Sequence, residues 1–346
     1  MEMINISKKV TATDVAELAG VSQTTVSFVL SGNGKKKVSE KTIEKVMNAA
    51  KELNYVPAKK SAPSEQLINI AVVVPNLSNI YYPFLLQSLE SFTHARGINI
   101  VILDTMRSRE IERNVNNFIT TMNISGVLYL MVPQEKLPVS IPRVILSEST
   151  GTEDTDIIKF NSFKAGYILA EHMISLGHKN IAYITTPLNN ITSSRIRRLD
   201  GIKQCMKDHG IVDRLSVFES TCELEAVDTT YEYEVGKNLT LKLLEEAPDT
   251  TAIIAVNDMT AIGCISILRE KGISIPERMA VGGFDNLLIS SMIDPPLTSV
   301  DQMARQSCQI AIDLLLEKIN RTHSPNAVPM VLECSPNLIV RRSTKG

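Results

Sequence analysis

Seven short apolar runs punctuate most of this 346-residue chain: INIAVVV (68–74), INIVIL (98–103), GVLYLM (126–131), RVIL (143–146), NIAYIT (180–185), AIIAV (252–256) and MAVGGF (279–284). Between them lie helical patterns such as FLLQSLESFTHA, AGYILAEHMISLG and DMTAIGCISILREKG. Continuous Val/Ile runs, rather than strict apolar–polar alternation, belong to strands buried on both faces. Strands of that kind joined by amphipathic helices make a parallel sheet with helices on either side. The expected fold class is therefore α/β from about residue 68 onward. Ligands of such sheets bind beyond the carboxyl ends of the strands, which singles out Asn257, after AIIAV, and Asp285, after MAVGGF.

The first 57 residues follow a different rule. Thr11-Ala12-Thr13-Asp14 has the form of a capping box ahead of a short helix whose apolar face holds Val15, Leu18 and Ala19. Gly20 supplies the left-handed exit. Ser22 opens a second helix, QTTVSFVL, with Val26, Val29 and Leu30 facing inward, and Gly32-Asn33-Gly34 breaks it. Ser39 caps a third, with a stripe of Ile43, Val46, Met47, Ala50 and Leu53. Three short helices with a tight glycine turn read as a helix-turn-helix. Its second helix would enter a DNA major groove with its N-terminal residues at the base edges.

Charge supports that reading. The first 60 residues hold ten Lys, no Arg and six acids, a net +4, whereas the remainder holds 26 basic and 32 acidic residues, a net −6. A basic head on an acidic body is what is expected when only the head meets a polyanion. The candidate DNA contacts are Thr11, Ser22, Thr25 and Ser27 as hydroxyl donors to phosphate, and Gln23 and Thr24 as base readers. Phe28 can touch a thymine methyl, and Lys59 and Lys60 seek phosphate. The bland alternative for each Ser or Thr is a helix cap.

Composition removes other classes. With no Trp and 5% aromatic residues, an aromatic-rich all-β protein is excluded. The five Cys are scattered without a Cys-x-x-Cys pair, which argues against a disulfide framework or zinc ribbon and suits a reducing cytoplasm. Residues 1–10 carry lysines but no apolar core, so no signal peptide is expected. No apolar run approaches a membrane span either. Phosphate-cradling glycine loops and a G-x-S-x-G elbow are missing. The five His lack His-x-x-His spacing, so no metal and no catalytic residue is assigned, and the chain is expected to be a non-enzyme without cofactor.

The run TATDVAELAGVSQTTVSFVLSG, followed by VSEKTIEKVMNAAKELNYVP, resembles the head of the lactose-repressor/galactose-repressor family of bacterial transcription regulators. LGHKNIAYI, RRLDGIKQCM, AVNDMTAIGCISIL, VGGFDN, PPLTSV and LIVRRST extend the resemblance over nearly the whole chain. It implies a small all-α helix-turn-helix head (1–57) and a linker (58–67). A two-lobed, periplasmic-binding-protein-like effector and dimerisation domain (68–346) follows. The implied lobes are about 68–160 plus 290–320, and 161–289 plus 321–342. Two features depart from the family: Phe28 stands where many members carry Arg, and the linker has Pro63 but no Leu or Met between Tyr55 and Leu67. It reads as a flexible linker rather than a hinge helix.

By the same resemblance Arg198 holds effector, Tyr81 and Tyr82 lie against a sugar face, and Asn161 stands where many members have Asp. With Asn257 and Asp285 these form the expected effector set, whose paired hydrogen-bonding atoms suit a polyol. Plainer readings exist for each. Arg198 lies in an Arg195–Arg198 run of the kind usually solvated, Asp285 is well placed to cap a helix, and the tyrosines could pack a helix start. In Asn257-Asp258 the Asp is the expected capper and the Asn the expected contact. The function expected is a cytoplasmic repressor, a homodimer on a pseudo-palindromic double-stranded operator, with DNA affinity set by a carbohydrate-like effector. No leucine heptad follows LIVRRSTKG, which favours a dimer over a tetramer. A protein corepressor, as in some catabolite-control members, is compatible with this scheme. A pure solute-binding protein, or a sugar-active α/β enzyme without a DNA role, is the rival; the former predicts a signal peptide and no head.

Overall fold

The computed structural model describes residues 11–30, 38–53, 55, 67–136, 141–148, 155–188, 193–221, 228–320 and 329–345. The chain divides into two compact units, 1–66 and 67–346. The linker residues 58–66, with Lys59, Lys60 and Pro63, lie outside the described residues.

The first unit is three helices, α1 (Ala12–Ala19), α2 (Gln23–Leu30) and α3 (Glu40–Glu52). Thr11 and Asp14 form the expected reciprocal capping box, and Gly20 exits α1 at φ +64°. Ser39 caps α3 by accepting from the Thr42 N–H. Val15, Ala16 and Ala19 of α1 pack on Val26 and Val29 of α2 and on Val46, Ala49 and Ala50 of α3. Two residues expected in this core are outside it: Leu18 is 48% exposed and Met47 54%. Each stands roughly 100° around its helix from the centre of the buried stripe. Alanines at 16, 19, 49 and 50 fill the seam and let the short helices approach closely.

The second unit holds two six-stranded sheets of equivalent order. The first lobe opens with β1 (Asn69–Val74), α4 (Tyr81–His94), β2 (Asn99–Asp104), α5 (Arg109–Thr121), β3 (Gly126–Tyr129), β4 (Arg143–Leu146) and β5 (Asp156–Phe160). The second takes α6 (Ser162–Ser175), β6 (Ile181–Thr185), α7 (Ser193–Asp208), β7 (Leu215–Glu219), α8 (Tyr231–Glu246), β8 (Ala252–Ala255), α9 (Asp258–Glu270), β9 (Ala280–Phe284), α10 (Leu288–Met292) and β10 (Thr298–Asp301). Then α11 (Ala304–Asn320) returns to the first lobe, β11 (Val331–Cys334) completes its sheet beside β5, and β12 (Asn337–Ile339) closes the second beside β10. The orders are β2-β1-β3-β4-β5-β11 and β7-β6-β8-β9-β10-β12, parallel throughout except for the antiparallel β10–β12 pair.

The lobe boundaries therefore differ from those expected. Residues 298–301 belong to the second sheet, not the first, and 331–334 to the first, not the second. These strands are four residues long, and β11 is half-exposed at a sheet edge, so their sequences carry no apolar run. The chain crosses between lobes at 160–162, 301–304 and 334–337.

Both faces of each sheet are covered, as the continuous apolar runs require. Ile70, Val72 and Val74 of β1 face α4 and α11, and Ala71 and Val73 face α5. In β6, Ile181 and Tyr183 pack under α6 and α7, while Ala182 and Ile184 meet α8 and α9. Crossed glycines set the helix pairs of the second lobe. A Cβ on Gly166 would sit 2.0 Å from the Arg198 carbonyl oxygen, and one on Gly201 would sit 1.9 Å from that of Phe163. Gly236 and Gly263 repeat the arrangement between α8 and α9. Gly201→Ala must push α6 and α7 apart, and is expected to destabilise the second unit by roughly 2 kcal/mol or more. Chemical denaturation followed by far-ultraviolet circular dichroism measures it; a midpoint like the wild type's would contradict this packing.

Candidate functional site: a recognition helix and an interlobe cleft

In the head, α2 buries Val26 and Val29 and leaves Gln23, Thr24, Ser27 and Phe28 exposed on the opposite face. The turn before it is tied locally. Ser22 Oγ accepts the Thr25 N–H at 3.2 Å and lies 2.9 Å from the Thr25 hydroxyl, so Ser22 does act as a cap. Thr11 is likewise engaged with Asp14, at 2.6 Å. The side chains left pointing outward are those with base-reading chemistry: an amide, hydroxyls and an aromatic edge.

In the second unit, strand carboxyl ends of both sheets converge on a cavity of about 560 Å³. From the first lobe it is walled by Asn79, Tyr81, Tyr82, Arg107, Gln134 and Glu148; from the second by Arg195, Arg198, Glu232, Asn257 and Asp285, with Gln302 at a crossing segment. Of the six residues expected here, five line it. Asn161 does not: it caps α6, accepting the Lys164 N–H at 2.8 Å, and its amide donates to Glu333 at 2.6 Å. Its polar atoms are thus spent on the start of α6 and on β11, the strand beside β5.

Arg198 is the centre of the cleft floor. Its guanidinium donates to the Val256 carbonyl and to Asp285 at 3.4 Å, and stacks 4.6 Å above the Phe284 ring. The Gln302 amide donates to the same Asp285 oxygen at 3.0 Å. Asp285 is no helix cap, because α10 starts after Leu287, and it sits at φ +100°, a backbone region costly for a non-glycine residue. What holds it there is Asp258, wholly buried beneath. Its carboxylate accepts from the Leu287 N–H at 2.9 Å and from Ser290 and Ser299 hydroxyls at 2.6 Å each. The cap of α9 is Asn257 rather than the expected Asp258: Asn257 accepts the Thr260 N–H at 2.9 Å and also lines the cleft.

The electrostatics are those of a buried, polar site. Burial, more than any neighbour, raises the pKa of Asp285 and of Glu148, to which Ser162 donates. Burial and then the Asp285 charge hold the Tyr81 phenol well above its ordinary value. Among the described residues, the Tyr81 hydroxyl and Arg198 Nε are buried with no hydrogen-bond partner. Such groups are costly unless a bound molecule satisfies them. Asn79 donates to Glu232 across the cleft mouth at 2.9 Å, joining the lobes. Sequence reading missed Arg107, Arg195, Glu148, Glu232 and Gln302; of these, only Gln302 had a local signal, following the PPLTSV stretch.

Residues 11–58 match the model of bacterial regulatory proteins of the lacI family, and residues 170–344 that of a periplasmic binding protein-like domain. The HTH-type transcriptional repressor PurR from Haemophilus influenzae (strain PittEE) is 30% identical over 97% of this chain and 99% of its own length. The chain belongs to the lacI family. It is a DNA-binding transcription regulator whose second unit is a ligand-binding effector domain. Among solved structures, the lac repressor dimer bound to operator and the anti-inducer ONPF is 27% identical, with TM-score 0.70, over 98% of this chain and 100% of that one. The CelR–cellobiose complex is 26% identical, with TM-score 0.66, over 96% and 99%. No helix among the described residues is long and apolar enough to cross a membrane.

The buried carboxyl of Asp258 gives this lacI-family domain a pH signature. Burial, and secondarily Asp285, push it from 3.8 up to about 7. The native group thus keeps a proton that the unfolded one has lost, so its contribution to stability falls as pH rises from about 4 to about 7. Relative to Asp258→Asn, the wild type is expected to lose up to about 1.4 kcal/mol per pH unit in that window. Urea midpoints across the window measure this; parallel profiles would place the proton elsewhere.

Proposed function

We propose that the chain is a cytoplasmic, non-enzymatic repressor that grips a pseudo-palindromic operator as a homodimer and changes that grip when a polyhydroxylated, carbohydrate-class effector closes the cleft. The observation that carries the effector class is the pair of buried, unpartnered polar atoms, Tyr81 Oη and Arg198 Nε. They border a cavity that also presents a carboxylate, an amide and two phenol rings. A polyol offers donors and acceptors to each of these, and ring faces to Tyr81 and Tyr82, whose planes meet edge-on at 69°. The cellobiose in the CelR complex supports the same class.

Both lobes contribute walls, so a ligand that bonds to both favours the closed arrangement over the open one by its differential contacts. Such coupling is typically ~1–3 kcal/mol. The dimer is supported by apolar surface on α10, where Leu288 and Met292 are 69% and 68% exposed, of the kind that marks protein contact. On the DNA side, Gln23 and Thr24 read bases and Phe28 meets a thymine methyl, whereas Ser22 and Thr25, already bonded to each other, set the entry of α2 and present what remains to phosphate.

Three outcomes are expected. Gln23→Ala weakens operator binding by roughly 1–3 kcal/mol and relaxes one base position; equal losses on operator and random DNA would remove its reading role. A thermal-shift screen of sugars and sugar phosphates raises the melting temperature with the matching effector. For that compound, Asp285→Ala abolishes the effector-dependent change in operator affinity. An effector dissociation constant equal to the wild type's, by calorimetry, would take Asp285 out of the site.

A further inference from the structure

At the far end of the α6–α7 pair, away from the cleft, three side chains of different chemistry meet. Cys205 and His209 stand four residues apart, so they share one face of α7 and its exit, and Glu171 reaches them from α6. The Cys205 thiol donates to Glu171 Oε2 at 3.3 Å, and His209 Nε2 lies 2.8 Å from the same oxygen. The three donor atoms all lie within 4.8 Å of one another. Donor atoms around a tetrahedral zinc are separated by roughly 3–4 Å, given Zn–S near 2.3 Å and Zn–N and Zn–O near 2.0–2.2 Å. The observed spacings need only small side-chain rotations to reach that arrangement.

We propose that Glu171, Cys205 and His209 form a binding site for a zinc-class divalent transition metal ion, with water in the fourth position. The donor set decides the class: a thiolate with an imidazole selects zinc-like ions over magnesium or calcium, which prefer all-oxygen shells. Its framework is rigid, because the crossed glycines Gly166 and Gly201 fix the distance between the two helices that carry it. The site lies where α7 ends, at Asp208, so the negative end of the helix dipole favours a cation. His209 and Glu171 are 38% and 45% exposed, which leaves an entry path to the buried sulfur. Metal entry replaces the S–H···O contact by a metal–thiolate bond, and the thiol proton leaves to solvent. The absence of His-x-x-His spacing hid this site in the sequence, since its ligands come from two helices. The two other histidines close by in sequence, His172 and His178, are engaged with Thr344 at 2.8 Å and Thr251 at 3.1 Å.

The test is titration of the reduced full-length protein with Co²⁺ as spectroscopic probe and with Zn²⁺ in competition, Mg²⁺ serving as control. One Co²⁺ per chain should bring a thiolate-to-cobalt charge-transfer band in the near ultraviolet, displaced by Zn²⁺ and untouched by Mg²⁺. Cys205→Ser should abolish the band, and His209→Ala, at an exposed position, should weaken Zn²⁺ binding at least roughly tenfold. No band in the wild type, a band that survives Cys205→Ser, or unchanged Zn²⁺ affinity in His209→Ala would each overturn the proposal. Should Cys205→Ser fail to fold by circular dichroism, the wild-type band and the His209→Ala affinity decide the matter.

Discussion

The second unit is organised around a guanidinium buried against a strained carboxylate. Arg198 comes from a helix, Asp285 from the end of β9, and the Val256 carbonyl from the end of β8, so one cation ties three neighbouring elements at the cleft floor. A buried charge is tolerable only when its partners are in place, and here two layers hold them. Asp258 gathers three donors beneath the Asp285 turn, and the close glycine crossing of α6 on α7 fixes where Arg198 emerges. The cleft is thus a consequence of packing below it rather than of flexible loops around it.

Much of this was legible in the residue order, for a physical reason. Central strands buried on both faces must be continuously apolar, so β1, β6, β8 and β9 announced themselves, and with them the strand ends that carry Asn257 and Asp285. The capping box at Thr11 and the glycine exit at Gly20 are local chemistry and stand where they were read. Two edge strands were not legible: β7 and β11 are half-solvated and short, so no apolar run marks them, whereas the edge strand β2 kept its run INIVIL. Nor could order along the chain place 331–334, because pairing with the distant β5 leaves no local trace, while 298–301 pairs with nearby β9 but carries no apolar run.

Side-chain roles divided along the same line. Arg198 and Asp285 are in the cleft, yet Asn161, which like Asn257 follows a strand end, is bound to Glu333 of β11 instead. Asn257 both caps and faces the cleft, because an N-cap side chain needs only one oxygen lone pair for the helix and leaves its amide nitrogen to other partners. Leu18 and Met47 show the limit of apolar periodicity in helices of two to four turns, where a single step around the axis separates seam from solvent. Glu148 and Glu232 had no sequence signal, since each matters only through the lobe opposite.

The three crossings also order events in time. Each sheet takes its last strand from the final tenth of the chain, β11 into one lobe and β12 into the other, separated by two residues. During synthesis neither sheet can add its last strand until that tail has left the ribosome. The helical head, whose core is entirely local, has no such dependence. A nascent chain therefore owns a structured reader long before it owns anything able to instruct it, and quality control of the completed molecule rests on the insertion of two very short strands.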